Sequence, residues 1–206
     1  MSLLEIDERN QNTKENVSDF NEFQNLFDRC DTRKDKRELD PTKTTYLALF
    51  TDKESSLQLY AGLLHNKVDL KFNLQADPHV TLSYFGYKGN PEYDLNIIGN
   101  AVPVEVIAYG EYKNPETGIL ENTGLLIKPK FLDIPLDNGQ KVEEFVNSID
   151  GYTPHITLGI SREIDEKGQV IAKAVNTVKC EWKELEEPFV LDLRLGAFSK
   201  GNAYIK

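Results

Sequence analysis

Pro78-His79-Val80-Thr81-Leu82 and Pro154-His155-Ile156-Thr157-Leu158 are almost the same pentapeptide, written twice in one chain. The chain has three histidines in 206 residues, and two of them fall in these phrases. In an extended strand, successive side chains point to opposite faces. Each phrase therefore sets a His and a Thr on one face and an apolar pair on the other, Val80 with Leu82 and Ile156 with Leu158. The apolar pairs can enter a core while the polar pairs line a cleft. The third histidine, His65, has no Thr two residues on. It sits near the end of an expected helix, where a surface or helix-end role accounts for it.

The surroundings of the two phrases also match. Tyr46-Leu-Ala-Leu-Phe50 reads as a short buried strand, and Asp52 offers an N-cap for a helix running to about His65. Leu57, Leu59, Tyr60, Leu63 and Leu64 would supply that helix's apolar face. The loop at Asp77-Pro78 then leads into a strand over His79–Phe85. In the second half, Gly124–Lys128 is a strand. Val142, Phe145, Val146 and Ile149 keep the i, i+3, i+4, i+7 spacing of a helix, which Gly151 would stop. After Pro154 comes the strand His155–Gly159. The unit of strand, helix and His-x-Thr strand thus recurs around residues 45–85 and 121–160, which suggests an internal duplication. Val102–Tyr109 and Phe189–Gly196 add two further strands, and Lys113–Gly118 is a turn. Val17–Phe27, with apolar residues at 20, 23, 26 and 27, predicts a helix of about three turns. The charged run Asp31–Glu38 after it reads as a solvated connector.

Two such strands related by a pseudo-two-fold axis would bring two imidazoles and two hydroxyls to one groove. Imidazoles titrate near neutrality, so one can take a proton while the other gives one in the same step. Threonine hydroxyls can donate hydrogen bonds to the non-bridging oxygens of a phosphate. The set suits hydrolysis or transesterification of a phosphodiester and needs neither metal nor cofactor. No GxxxxGK[ST], GxGxxG, HExxH or GxSxG pattern occurs, and no spaced Asp–His cluster suggests a zinc or calcium site. Cys30 and Cys180 lie far apart without CxxC spacing, and two reduced thiols are the simpler reading.

With these two motifs, His79-Val-Thr81 and His155-Ile-Thr157, the chain resembles the 2H phosphoesterase superfamily over roughly residues 44–200. Thr153–Gly159 and the late strand Leu193–Gly201 are most similar to 2′,3′-cyclic-nucleotide phosphodiesterase-like members. The resemblance implies an α+β, bilobal fold: two pseudo-symmetric antiparallel-sheet lobes around a central cleft, with helices outside. It implies a domain over residues 43–206, with intertwined lobes at about 43–110 and 111–206. Residues 1–42 are an extension outside the resemblance, a lid, a packing helix or a partner-binding arm, and packing on the domain is the expectation. It makes His79 and His155 the acid/base pair and Thr81 and Thr157 the phosphate ligands. For a 2′,3′-cyclic phosphate it leads to His155 as the base that activates water and His79 as the acid. Tyr84 and Tyr152 adjoin the motifs as candidate substrate-binding residues, whereas Phe85 is expected in the core. The same motifs occur in enzymes that cut cyclic di- or trinucleotides of antiphage immunity, or 2′-5′ oligoadenylate. A non-catalytic nucleotide-binding module would also keep the fold.

Charge narrows the ligand. The formal net charge is −10, and proteins that grip long nucleic acid by its phosphates present a basic face. Long duplex is therefore disfavoured, while a small nucleotide or short oligonucleotide needs only a few focused donors. No apolar run approaches the roughly 20 residues of a membrane span, and no secretory signal is visible. A cytoplasmic monomer is the expectation.

Overall fold

Both pentapeptides are strands, and both keep the expected alternation. Val80, Leu82, Ile156 and Leu158 are buried, while the His and Thr side chains are half-buried or exposed on the other face. The computed structural model describes residues 24–25, 28, 30, 33–75, 77–86, 91–147, 150–164 and 172–205. The helix expected over Val17–Phe27 lies almost wholly outside the described residues. Among these residues the strands are β1 (Thr44–Phe50), β2 (His79–Tyr84), β3 (Ala101–Lys113), β4 (Leu120–Ile127), β5 (His155–Ile160), β6 (Glu181–Ser199) and β7 (Asn202–Tyr204). One α-helix, α1 (Lys53–His65), joins β1 to β2. The class is mixed α+β, dominated by one antiparallel sheet.

The strands run in the order β1-β2-β5-β4-β3-β6-β7, and β6 also pairs with β1. The ladder therefore returns on itself rather than dividing into separate sheets. Within it β2 and β5 lie side by side, with Val80 opposite Ile156. The pairs flanking this junction repeat with a constant displacement of 76 residues. On one side Tyr46, Leu47, Ala48, Leu49 and Phe50 face Tyr84, Ser83, Thr81, Val80 and His79. On the other, Asn122, Thr123, Gly124, Leu125 and Leu126 face Ile160, Gly159, Thr157, Ile156 and His155. The irregularity repeats too: both registers skip one residue, Leu82 in β2 and Leu158 in β5.

Each position of the repeated phrase now has a structural task. The proline carbonyl accepts from the neighbouring strand, Pro78 from Thr51 N–H at 3.3 Å and Pro154 from Ile127 N–H at 2.9 Å. Val80 and Ile156 enter the core. The leucine is the extra residue of a β-bulge, a device that bends a strand and re-aims its side chains. The duplication seen in sequence is thus a two-fold relation in the strand register.

The crossovers are less alike. α1 starts with a reciprocal cap: Asp52 accepts from Ser55 N–H at 2.9 Å, and Ser55 Oγ accepts from Asp52 N–H at 2.8 Å. Its buried side is Ser55, Ser56, Leu59, Gly62 and Leu63, not the fully leucine-rich face expected, because Leu57 and Leu64 are exposed. Gly62 decides this. A Cβ there would come within 2.4 Å of the Phe189 ring, so the helix approaches β6 along its small residues. In the second half, residues 142–147 of the expected helix hold one 3₁₀ turn, Val142–Phe145, and Ile149 lies outside the described residues. Val142 and Phe145 are buried, but the turn closes at Val146, whose N–H bonds Glu143 O.

The strand expected at 189–196 is the second half of the 19-residue β6. Pro188 is tolerated inside it because residues 185–188 fall in the bulge between Ala108↔Glu184 and Val106↔Phe189, where no ladder donor is needed. The expected connector at 31–38 is also revised. Arg33 is buried, Lys34 N–H bonds Ala203 O at 2.9 Å, and Leu39 joins the main core. Arg33 and Leu39 are therefore packed into the fold, while Gln24, Asn25 and Asp28 are exposed. Leu39→Ala is expected to cost about 2–4 kcal/mol, read as a lower denaturant midpoint, and an unchanged midpoint would place this segment outside the cooperative unit.

Candidate active site

The bulges and the β2–β5 junction set the site. Val80↔Ile156 is the register pair between β2 and β5, and an antiparallel ladder continued from it would set His79 opposite Thr157 and Thr81 opposite His155. Directly opposed residues have Cβ atoms about 4.5–5.5 Å apart, and diagonal ones about 7–8 Å. In that ladder the two imidazoles would be one diagonal pair and the two threonines the other, all on one face. That spacing can hold one phosphate between four side chains.

Ring orientation is the same in both halves. His79 Nδ1–H bonds Asp77 O at 2.6 Å, and His155 Nδ1–H bonds Thr153 O at 2.8 Å. Each acceptor lies two residues before its histidine, where the chain turns at a proline. With Nδ1 protonated and tied to the backbone, the lone pair of a neutral ring is on Nε2. Among the described residues neither Nε2 has a hydrogen-bond partner. Burial lowers the pKa of both imidazoles below the ordinary 6.5. For His79, hydrogen bonding to the Asp77 carbonyl and the Asp77 charge act against this, while Arg33 and His155 add to it.

The two halves differ in what supports them. On the His79 side the wall is aromatic. Tyr46 is stacked between Phe198, at 4.8 Å between ring centroids, and His79, at 5.1 Å, and Phe50 leans on His79 at 5.3 Å. Both faces of Tyr46 are used, so it buttresses the imidazole, and burial keeps its phenol protonated to high pH. On the His155 side the support is a polar chain. Asn122 Nδ2 donates to Thr177 Oγ1 at 3.2 Å, which lies 2.9 Å from Thr157 Oγ1. If Thr177 passes its proton to Thr157 Oγ1, the Thr157 hydroxyl proton is left for a ligand. Gly124 makes this possible: a Cβ there would come within 2.4 Å of Thr177 Cγ2.

Of the expected site residues, His79, Thr81, His155 and Thr157 are brought together. Tyr84 lies on the same face, opposite Tyr46, and is 57% exposed. Tyr152 is placed differently. Its hydroxyl donates to Thr81 O at 2.7 Å and its ring packs on the main core, so it braces the Thr81 backbone. Phe85 packs on the core as expected. His65 pairs with Glu187 at 2.9 Å at the end of α1, away from the motifs. Cys30 and Cys180 are buried and not joined in a disulfide; Cys30 Sγ lies 3.5 Å from Ser56 Oγ, and burial with the Glu111 charge pushes Cys180 up to about 12. Among the described residues, no three His, Cys, Asp or Glu side chains group as a metal site would require. No helix among them is long and apolar enough to cross a membrane.

Tyr46, Phe50, Asp77 and Thr177 were not singled out from sequence. Tyr46 and Phe50 carried a usable signal, since alternate residues of a strand beside His79 must share its face. Thr177 carried none, because its approach depends on a long-range contact across Gly124.

Comparison of the chain with family models, curated proteins and solved structures finds no match. Function therefore has to be reasoned from the site itself.

Proposed function

We propose that this chain is a metal-independent phosphodiesterase of the 2H type, acting on a nucleotide or short oligonucleotide. A 2′,3′-cyclic phosphate is the first candidate substrate. The observation that supports it is the two-fold placement of the histidines, each held by its Nδ1 on a backbone carbonyl two residues before it. Holding Nδ1 in both rings leaves the same nitrogen, Nε2, for the substrate. The bilobal reading of the 2H fold rests on the same register, which relates β1-β2 to β4-β5 across the junction.

In this scheme one neutral imidazole takes a proton from the attacking water or hydroxyl through Nε2. The other, protonated, donates from Nε2–H to the leaving oxygen. The pair thus starts and ends with one proton between them, exchanged in position, and both rings need only water to reset. Thr81 and Thr157 donate to the non-bridging oxygens, where negative charge grows in the transition state. Because the site is nearly symmetric, the polarity of the bound substrate decides which histidine is base. Exposed Tyr84, beside Thr81, offers a ring to a base of the substrate.

A substrate panel in EDTA tests this: 2′,3′-cyclic mononucleotides, 2′-5′ oligoadenylate, and cyclic di- and trinucleotides. Turnover of at least one is expected, and the cyclic mononucleotide products show which P–O bond is broken. Binding of several members without turnover of any would instead support a nucleotide-binding module. Activity that EDTA abolishes would overturn the metal-free scheme.

A further inference from the structure

His79 differs from His155 in what stands behind its carbonyl partner. The Asp77 carboxylate is paired with Arg33, Nη1 to Oδ1 at 2.5 Å. Arg33 is 6% exposed, lies over the Phe50 ring at 5.5 Å, and comes from the segment bridged to β7 through Lys34 and Tyr204. Its Nε and Nη2 are buried without hydrogen-bond partners among the described residues. In the other half, the residue equivalent to Asp77 is Thr153, which has no carboxylate to pair.

We infer that Arg33 is a positioning residue for His79: it anchors Asp77, whose carbonyl oxygen holds the Nδ1 proton. A guanidinium buried with only part of its donors satisfied is a poor stabiliser, because desolvation offsets the ion pair. Its place is better explained by what it holds. Asp77 sits in the turn before β2, and among the described residues its carbonyl is the one hydrogen-bond tether on the His79 ring. Fixing its side chain fixes that carbonyl, and through it the direction of Nε2. A misplacement of about 1 Å in such a group can reduce turnover about 100-fold. Arg33 also contacts Phe50, which leans on the same ring, so one cation sets two of the contacts that orient His79.

The charged or titratable groups that bear on His79 are Asp77, Arg33 and His155, with Tyr46 stacked on it. The Asp77–Arg33 pair is close to neutral as a unit, and splitting it has opposite consequences from its two ends. Removing the cation leaves a carboxylate beside His79, while removing the carboxylate leaves a cation.

This inference rests on the two-histidine reading, but its first readout needs no turnover. Titrations of the histidine rings by long-range ¹H–¹⁵N NMR would be recorded on the full chain with Arg33→Met, Arg33→Lys and Asp77→Asn. Arg33→Met should raise the His79 pKa and weaken its Nδ1–H tautomer, Asp77→Asn should lower the pKa, and Arg33→Lys should lie near wild type. The His155 curve should not move, which reports an intact fold. If Arg33→Met fails to fold, Asp77→Asn carries the test through its opposite shift. On any substrate the wild type turns over, Arg33→Met should cost about 10–100-fold in kcat with a smaller change in KM. A His79 curve that stays at wild type, or both histidines moving together, would overturn the inference. A wild type inactive on the whole panel would instead count against the two-histidine reading while the titration still decides the role of Arg33.

Discussion

Alanine at His79 or at His155 is expected to lower kcat/KM by about 10²–10⁴-fold, the usual contribution of a positioned acid or base. Neither change should unfold the protein, since Val80 and Ile156 keep the main core contacts of both strands, although His79→Ala also removes the ring packed on Tyr46 and Phe50. The pH dependence follows from the same burial. Both imidazoles titrate below 6.5 in the free protein, and kcat/KM reports the free enzyme. Its acid limb is the base gaining a proton and its alkaline limb the acid losing one, so the optimum should lie below pH 6.5. A kcat/KM still rising at pH 8 would contradict this assignment.

Stability carries a linked sign. Below pH 6.5 an unfolded histidine binds a proton more readily than the buried one, so the unfolded state gains protons over the folded. Stability should therefore fall as pH drops from 6.5 through the lower folded values, and be flat with respect to these groups above 6.5. Glutamine at both positions should flatten that slope.

Ile156→Ala is expected to destabilise the chain by about 2–5 kcal/mol, as large-to-small changes in a filled core do. Ile156 is fully buried and pairs with Val80 on one side and Leu125 on the other, so it sits where the two related halves meet. A cavity there loosens the junction that sets β2 beside β5. Thr81→Ala, on the exposed face of the same junction, should stay within about 0.5 kcal/mol of wild type. The pair is read by denaturant unfolding, and an Ile156→Ala midpoint equal to that of Thr81→Ala would mean that the β2–β5 junction contributes little.

The strands around the motifs were legible because alternation and turn chemistry are local. Pro-His-x-Thr-Leu announced two strands, their faces, and their relation by duplication. The bulge at Leu82 and Leu158 was not legible, although the repeated leucine was its trace, since a bulge is defined only against a partner strand. The second helix was over-read: the 3.6 period at Val142, Phe145 and Val146 marks burial, which a 3₁₀ turn satisfies as well as an α-helix. Leu57 and Leu64 misled in the opposite way, because the small residues Ser55, Ser56 and Gly62 took the packed side of α1. Among site residues, the histidines and threonines were found by repetition and alternation. Arg33 was hidden in a charged run whose composition suggests solvent, and only the β7 bridge and the Asp77 pair place it inside.

The central claim is that His79 and His155 form one site across a two-fold junction. Its most direct test is a double-mutant cycle in kcat/KM, with His79→Ala, His155→Ala and the double variant assayed in EDTA on the substrate the wild type turns over. Residues that act as a unit are strongly non-additive. The account predicts that each single change abolishes most of the activity and that the double variant is little worse than the weaker single one. Wild-type turnover in either single variant, or losses that simply multiply, would contradict it.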